Sequence, residues 1–231
     1  MRKKLELLIL DCDGVLIDSE PLACVADALA IQKYSTTGAR PSCEEIMRRF
    51  TGKSSQAIAE AMQADYGVKD VQAWMAEKDS MIQELFKKEL QPVNGVKQAL
   101  GFFKSQNLPY CVASNSGINR LKLAFECTGL DPYLEGVWHS AQEVKHGKPA
   151  PDLFFHVADI FGVKPENCLV VDDSPSGITG ATAAGMTAWG FIGTNRMGQC
   201  WEDALFQAGA SRLITSFSEL QESILALRQK L

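Results

Sequence analysis

The chain has 231 residues, of which 46% are hydrophobic and 22% are charged, and its formal net charge is −5 at pH 7. This balance is that of an ordinary globular protein, and the acidic charge gives no electrostatic footprint for nucleic-acid binding. The apolar run near Met1 is too short for a signal peptide, and no stretch approaches the roughly 20 apolar residues of a membrane span. The seven cysteines are scattered, without a Cys-x-x-Cys pair, which indicates free thiols. We therefore expect a cytoplasmic protein without a nucleic-acid or membrane partner.

Short apolar runs, each typical of a buried strand, recur along the chain. We predict strands at 5–10, 110–113, 136–139, 168–171, 187–191 and 212–214. Helical patterns lie between most of them, such as the apolar face of Leu121, Ala124 and Phe125, which ends before Gly129. Strands that alternate with helices predict an α/β core, a Rossmann-like doubly wound parallel sheet.

One region, from residue 21 to residue 90, breaks this alternation because it contains no convincing strand. We predict four helices in it, at 22–32, 43–50, 55–66 and 71–88. The simplest interpretation is an all-α (helical bundle) cap domain at 17–92, inserted into a core domain formed by 1–16 and 93–231. Such a cap beside an active site can exclude water and select the substrate. The alternative is a few extra helices packed rigidly on the sheet.

The first predicted strand runs into Asp11-Cys12-Asp13-Gly14. Carboxylates at the carboxyl end of a central strand lie where open α/β sheets build their active sites. A solvated acidic turn would have the same local sequence. A calcium loop does not fit, because the loop positions that need glycine and glutamate hold Leu16 and Leu22 when counted from Asp11. The two acids therefore indicate chemistry only if other strands supply partners.

Three further motifs supply such partners. Residues 114–117 (Ser-Asn-Ser-Gly) offer a hydroxyl, an amide and backbone N–H groups at a helix N-terminus, which suits a phosphate, although ordinary capping would use the same residues. Lys148 lies in a loop that two prolines stiffen, so that it can act as an aimed point charge. Asp172 and Asp173 follow the fourth predicted strand, and carboxylate oxygens are what Mg²⁺ prefers.

The charges of these motifs indicate that they form one site. If the strands are parallel neighbours, Asp11, Asp13, Asp172 and Asp173 converge at one edge of the sheet. Unit charges about 4 Å apart interact by several kcal/mol even at an effective dielectric constant near 20, so the acids need counter-charge. Mg²⁺ and Lys148 would supply it.

The four motifs, in this order and each at the end of a strand, resemble those of the haloacid dehalogenase superfamily. The resemblance is greatest to the branch with a small helical cap, which includes β-phosphoglucomutase, phosphoglycolate phosphatase and sugar-phosphate phosphatases, and it spans essentially the whole chain. It implies that Asp11 is the nucleophile. It also implies that Asp13 is the general acid and base, with a backbone carbonyl that reaches the metal.

The resemblance implies roles for the later motifs as well. Ser114 would bind the transferring phosphoryl group with help from Asn115, and Lys148 would steady both the nucleophile and the phosphate. Asp172 and Asp173 would hold Mg²⁺. Asp173 stands at the usual position of the principal ligand, and Asp172 would contact the ion directly or through water.

The activity implied is that of a Mg²⁺-dependent phosphatase, which hydrolyses a small phosphate monoester through an aspartyl-phosphate intermediate. Asp13 counts against dehalogenase and phosphonate-cleaving branches, since they lack this acid. A phosphohexomutase of the β-phosphoglucomutase type is the closer alternative, but that enzyme carries a histidine where this chain has Ala23. A phospho-accepting receiver switch is the remaining alternative, although receivers have neither the Asp-x-Asp motif nor a helical insertion.

Substrate choice is expected to depend on the cap. Arg49, Lys53 and Ser54 resemble the cap loop that meets substrate in relatives, and cations there would suit an acidic sugar or a second phosphate. A solvated helix end is the alternative interpretation. Sugar phosphates and phosphorylated sugar acids, 6-phosphogluconate among them, are the leading candidates for this small phosphorylated metabolite. The sequence does not determine the oligomeric state.

Overall fold

The computed structural model describes residues 4–50, 55–194 and 197–229. The chain forms two compact units, one of Met1–Asp18 with Gln91–Leu231 and the other of Ser19–Leu90. These junctions lie two residues from the predicted ones at 16/17 and 92/93. No helix within the described ranges is long and apolar enough to cross a membrane.

A six-stranded parallel sheet forms the centre of the first unit, with the order β3-β2-β1-β4-β5-β6. Its strands are β1 (Leu7–Leu10), β2 (Tyr110–Ser114), β3 (Trp138–Ser140), β4 (Cys168–Asp172), β5 (Thr187–Phe191) and β6 (Leu213–Ile214). All four residues of β1 are fully buried, as expected for a parallel strand covered on both faces. The predicted doubly wound α/β sheet is therefore confirmed, and β1 lies between β2 and β4 at its centre.

The second unit contains only helices among its described residues. They are α1 (Glu20–Tyr34), α2 (Cys43–Phe50), α3 (Ser55–Tyr66) and α4 (Val71–Glu89). Apolar side chains, Ile31 and Trp74 among them, form its core. Lys78 pairs with Asp27 at 2.8 Å and lies over the Trp74 ring, which ties α1 to α4.

The described residues of the first unit form seven more helices. They are α5 (Val96–Ser105), α6 (Ile118–Thr128), α7 (Asp131–Leu134), α8 (Asp152–Phe161), α9 (Pro175–Ala183), α10 (Gln199–Gln207) and α11 (Phe217–Gln229), with short 3₁₀ turns at Ala141–Glu143 and Pro165–Asn167. One core cluster joins the sheet residues Ile9 and Val170 to Phe154 of α8 and Ile178 of α9. These two helices therefore cover the strands that carry the candidate site.

The two segments that lead to and from the helical unit run side by side. The Asp18 N–H donates to the Gln91 carbonyl oxygen at 3.0 Å, and the Val93 N–H donates to that of Leu16 at 2.9 Å. Ile17 and Pro92 form an antiparallel bridge between these bonds. Backbone hydrogen bonds therefore hold these two connecting segments together within the first unit.

Candidate active site

The carboxyl ends of β2, β1 and β4 form the framework of the site. Ser114 is the last residue of β2, and Asp172 is the last residue of β4. Asp11 follows β1 directly, and its backbone N–H continues the ladder by donating to the Val171 carbonyl at 2.9 Å. Because these strands are parallel neighbours, the three side chains start from one edge of the sheet.

Lys148 lies at the centre of this edge. Its Nζ donates to Asp11 Oδ1 and to Asp172 Oδ2, each at 2.7 Å. All three residues are buried, with 8% of Lys148, 9% of Asp11 and none of Asp172 exposed. The structure thus brings together three of the predicted site residues, from three separate parts of the chain.

Burial and the neighbouring charges together set the pKa values of Asp11 and Lys148. Burial raises the pKa of Asp11 to about 7, against the attraction of Lys148, and the charge of Asp172 raises it further. Burial opposes the charged form of Lys148, but the attraction of Asp11 and Asp172 outweighs it and raises the pKa of the lysine. The two acids therefore favour the cationic form of Lys148, and Asp11 depends on nearby positive charge for its ionised form.

Asn115 holds the loop that carries this lysine. Its Oδ1 accepts the Lys148 backbone N–H at 2.8 Å, and its Nδ2 donates to the Lys148 carbonyl at 2.9 Å. Both polar atoms of the amide group take part in this pairing, so the Asn115 side chain positions Lys148. The role of Asn115 beside Ser114 in phosphate binding stays a prediction.

Asp13 is held by two donors that the sequence did not single out. Ser116 Oγ donates to Asp13 Oδ2 at 2.6 Å, and Arg120 Nη2 donates to Asp13 Oδ1 at 2.8 Å. Ser140 Oγ, at the end of β3, donates to the Ser116 carbonyl at 2.7 Å. The carboxylate is thus held by the turn after β2 and by α6, and Ser140 of β3 in turn supports Ser116.

Arg120 does leave a signal in the sequence. It lies in the first turn of α6, where the helix dipole disfavours a cation. An arginine at such a position is favourable when an acid is near, and Asp13 is that acid. A search of the sequence for cations in the first turn of a predicted helix would have identified Arg120 as a candidate partner of an acid.

Ser114 lies where the sequence placed it, almost fully buried at the end of β2. Its Oγ accepts the Ser116 N–H at 3.0 Å, which starts the turn into α6. Contact with a phosphoryl group remains a prediction for this hydroxyl.

Carboxylate oxygens of Asp11, Asp172 and Asp173 lie within 4.8 Å of one another, close enough to hold one metal ion. The backbone leaves room for them: a Cβ on Gly14 would lie 1.9 Å from Asp173 Oδ2, and a Cβ on Gly177 would lie 1.8 Å from Asp172 Oδ2. An all-oxygen set of carboxylates fits a hard divalent cation such as Mg²⁺.

The two adjacent acids differ in their surroundings. Asp172 Oδ2 accepts from Lys148, and its Oδ1 accepts the N–H of Ser174 at 3.0 Å and the hydroxyl of Ser174 at 2.7 Å. The backbone carbonyl of Asp173 accepts a hydrogen bond from the Trp201 indole at 2.8 Å. Both carboxylate oxygens of Asp172 thus have protein partners, which ties this residue to the lysine as well as to the acid cluster.

The predicted substrate residues Arg49, Lys53 and Ser54 belong to the helical unit. Lys53 and Ser54 lie outside the described residues. Arg49 pairs with Asp65, contacts the Tyr66 hydroxyl at 3.2 Å and stacks over the Tyr66 ring at 5.3 Å. These contacts account for Arg49 within the helical unit, and a role for it toward the substrate stays a prediction.

Comparisons with known proteins give one consistent result. The family model for haloacid dehalogenase-like hydrolases matches residues 5–185. A probable pseudouridine-5'-phosphatase of Drosophila melanogaster is 31% identical over 192 residues, which cover 80% of each chain. A 6-phosphogluconate phosphatase of Escherichia coli is 29% identical over 193 residues, covering 81% of this chain and 83% of the relative. Proteins named β-phosphoglucomutase also match.

Solved structures agree with this result. A conserved haloacid dehalogenase-like protein of unknown function from Agrobacterium tumefaciens superimposes with a TM-score of 0.84 at 32% identity, covering 96% of this chain and 99% of that one. The sheet order, the position of the acids at the strand ends and the family match all point the same way. The chain belongs to the haloacid dehalogenase-like hydrolases.

Proposed function

We propose that this hydrolase is a Mg²⁺-dependent phosphatase, which acts on a small phosphate monoester through a phosphorylated Asp11. The observation that carries the proposal is the position of Lys148, 2.7 Å from both Asp11 and Asp172, beside a cluster of three carboxylates. A buried carboxylate held beside a fixed cation is suited to attack an anionic phosphate, because the cation offsets the repulsion between the two.

The first half-reaction follows from the contacts of Asp11 and Asp13. Lys148 engages Oδ1 of Asp11, so we assign the attack on phosphorus to Oδ2. The Asp11–phosphorus bond forms as the ester P–O bond breaks, and Asp13 gives its proton to the departing alcohol. Ser114 and the backbone amides after β2 would bind the oxygens of the phosphoryl group.

The second half-reaction uses Asp13 as a base. Its carboxylate takes a proton from water, the water oxygen bonds to phosphorus, and the bond to Asp11 breaks to release inorganic phosphate. The hydrogen bonds from Arg120 and Ser116 orient the ionised form of Asp13, which is the form that this half-reaction needs. Positioned acid–base help of this kind contributes about 10²- to 10⁴-fold.

Mg²⁺ would be held by Asp11, Asp173 and the backbone carbonyl of Asp13, and when bound it supplies positive charge against the phosphate oxygens. Asp172 would support the ion directly or through water, and its oxygens also accept hydrogen bonds from Lys148 and Ser174.

The substrate class is proposed from the relatives. The curated relatives include proteins named as phosphatases of 6-phosphogluconate and pseudouridine 5'-phosphate, so a phosphorylated sugar or sugar acid is the class we propose. A mutase is the second candidate, because β-phosphoglucomutases are also among the relatives. Ala23 counts against it: the side chain lines a cleft of the helical unit and offers no imidazole at the position where the mutase carries one.

A panel of phosphate monoesters assayed with Mg²⁺ for release of inorganic phosphate tests the proposal. We expect turnover of sugar phosphates, loss of turnover on chelation, and loss of turnover in Asp11→Asn with the fold retained. Near-normal phosphate release by Asp11→Asn would refute the nucleophile. Conversion of glucose 1-phosphate to an isomer without phosphate release would favour the mutase, and a single slow phosphorylation without release would favour the switch.

A further inference from the structure

A second cluster of metal-binding side chains lies outside the acid cluster. His139 lies in β3, Glu143 is the last residue of the 3₁₀ turn that follows, and His156 lies on α8. His139 Nδ1 is 3.1 Å from Glu143 Oε2, and His156 Nε2 is 3.3 Å from the same oxygen. Two of the three histidines of the chain therefore meet at one carboxylate oxygen.

The carboxylate is fixed in this orientation by the backbone. Glu143 Oε1 accepts the Ser140 N–H at 2.7 Å, and Ser140 Oγ accepts the Gln142 N–H at 3.2 Å, so that the turn forms a capping box. Oε2 is left to face both imidazoles. A ligand carboxylate oriented by an outer hydrogen bond is a common feature of metal sites.

The two imidazoles are placed for a shared ion. Their ring centroids are 5.6 Å apart, with an angle of 83° between the rings. His139 is 9% exposed, and its Nε2 is buried without a hydrogen-bond partner in the described part of the chain. Binding of a metal through Nδ1, the nitrogen that faces Glu143, would place the ring proton on Nε2.

We propose that His139, Glu143 and His156 bind one divalent transition-metal ion of the zinc class. The nitrogen, nitrogen and oxygen donors are those of zinc sites that keep one position open, and imidazole selects Zn²⁺ over Mg²⁺. Metal–ligand bonds of about 2.0–2.1 Å in a tetrahedron separate the ligand atoms by roughly 3.3 Å. The two nitrogen–oxygen separations in the cluster, 3.1 and 3.3 Å, are close to that ligand–ligand distance.

Charge and access are consistent with an ion there. A ligand set of one carboxylate and two neutral imidazoles carries a single negative charge, which attracts a divalent cation. The side chains of Glu143 and His156 are 30% and 32% exposed, so an ion and a water ligand can enter from solvent. The site does not depend on the proposed phosphatase activity, because it shares no ligand with the acid cluster.

The position of the cluster gives the ion a structural effect. Its ligands come from β3 and the following turn on one side of the Lys148 loop and from α8 on the other. Bound metal would link these two elements and restrain the loop between them. We expect binding to raise the thermal midpoint of unfolding by mass action.

Calorimetric titration with Zn²⁺, in the presence of saturating Mg²⁺, tests the proposal. We expect one Zn²⁺ per chain, and at least about tenfold weaker binding in His156→Gln and in Glu143→Gln. The matched control is His146→Gln, since His146 is the third histidine and pairs with Asp152 instead. It should bind Zn²⁺ like the unmodified protein.

A second readout separates this site from the acid cluster. Co²⁺ bound to two imidazoles in a tetrahedral site gives visible absorption, which should persist in Asp173→Asn and be lost in His156→Gln. Far-UV circular dichroism confirms that each variant is folded. Equal Zn²⁺ affinity in His156→Gln and the unmodified protein, or equal losses in His156→Gln and His146→Gln, would overturn the proposal.

Discussion

Arg120 donates a hydrogen bond to Asp13 across 2.8 Å and thereby fixes the carboxylate that we propose as acid and base. The two residues are 107 positions apart in the chain, and they meet because β2, which leads into α6, lies beside β1 in the sheet. The side chain of Arg120 is 29% exposed and that of Asp13 is 27% exposed, so the pair lies partly open to solvent. The ion pair therefore serves mainly to orient the Asp13 carboxylate and adds little to the stability of the fold.

Replacing this arginine should affect the rate more than binding. In Arg120→Ala we expect kcat to fall about tenfold with little change in KM, because part of the acid–base contribution is lost while the phosphate contacts remain. Arg120→Lys should restore part of the rate. Lys122→Ala, an exposed cation on the same helix, is the control for a general loss of positive charge. Unchanged kcat in Arg120→Ala would remove Arg120 from the site.

Removing the buried lysine should cost both activity and stability. Lys148→Met leaves Asp11 and Asp172 as adjacent buried acids without their cation, and breaking a buried pair in this way costs about 3 kcal/mol or more. Urea denaturation in the presence of a chelator measures this loss.

Mg²⁺ should restore part of that stability, since the ion supplies counter-charge to the same carboxylates. Lys145→Met, an exposed position in the same loop, should leave both activity and stability nearly unchanged. Equal stability of Lys148→Met and Lys145→Met without metal would contradict the buried triad.

The raised pKa of Asp11 predicts a pH dependence of stability in the metal-free protein. Burial moves this pKa from 3.8 to about 7 in the folded state, so between these values the folded protein holds a proton that the unfolded chain has released. The free energy of unfolding should therefore rise as the pH falls from about 7 towards 4. Above about 7 this extra stability should be fully lost.

Asp11→Asn provides the comparison for that measurement. The variant lacks the titrating group, so the difference in unfolding free energy between it and the unmodified protein should change across this pH window. Saturating Mg²⁺ should reduce the change, because the ion favours the carboxylate form. A difference that is constant with pH in the metal-free proteins would contradict the raised pKa.

The close approach of Gly14 to Asp173 predicts a loss of metal binding on substitution. Gly14 has a φ of +75°, and a Cβ there would lie 1.9 Å from Asp173 Oδ2, so Gly14→Ala should displace this carboxylate. Gly185→Ala is the matched control, because Gly185 has a φ of +78° with nothing within 4 Å of an added Cβ.

Both glycine variants should lose about 1 kcal/mol or more of stability, since alanine is strained at positive φ. Only Gly14→Ala should need much more Mg²⁺ for half-maximal activity. A similar Mg²⁺ requirement in the two variants would show that the Asp173 carboxylate tolerates the methyl group.

Much of the fold could be predicted from the sequence because parallel strands are buried on both faces and therefore form continuous apolar runs. The strand Thr187–Phe191 and the helix Ser55–Tyr66 have the predicted bounds. The strand predicted at 136–139 begins two residues later, because Gly136 has a φ of +74° and belongs to the preceding turn.

The acids of the candidate site were predictable because each lies at the end of a strand or shortly after it. Their side-chain partners were not. The pairing of Asn115 with the Lys148 backbone depends on the path of a loop, and the pairing of Arg120 with Asp13 depends on the rotation of α6 about its axis. The meeting of His139 and His156 depends on how α8 lies beside β3. Strand patterns contain none of this information.

The hydrogen bond from the Trp201 indole to the Asp173 carbonyl gives the protein an intrinsic optical reporter. The emission of an indole responds to the polarity and charge around its N–H, and this N–H touches the backbone of a proposed magnesium ligand. Entry of a divalent ion should therefore change the emission of the unmodified chain and leave that of Trp201→Phe nearly unchanged. Ion occupancy could then be followed by fluorescence without any attached dye.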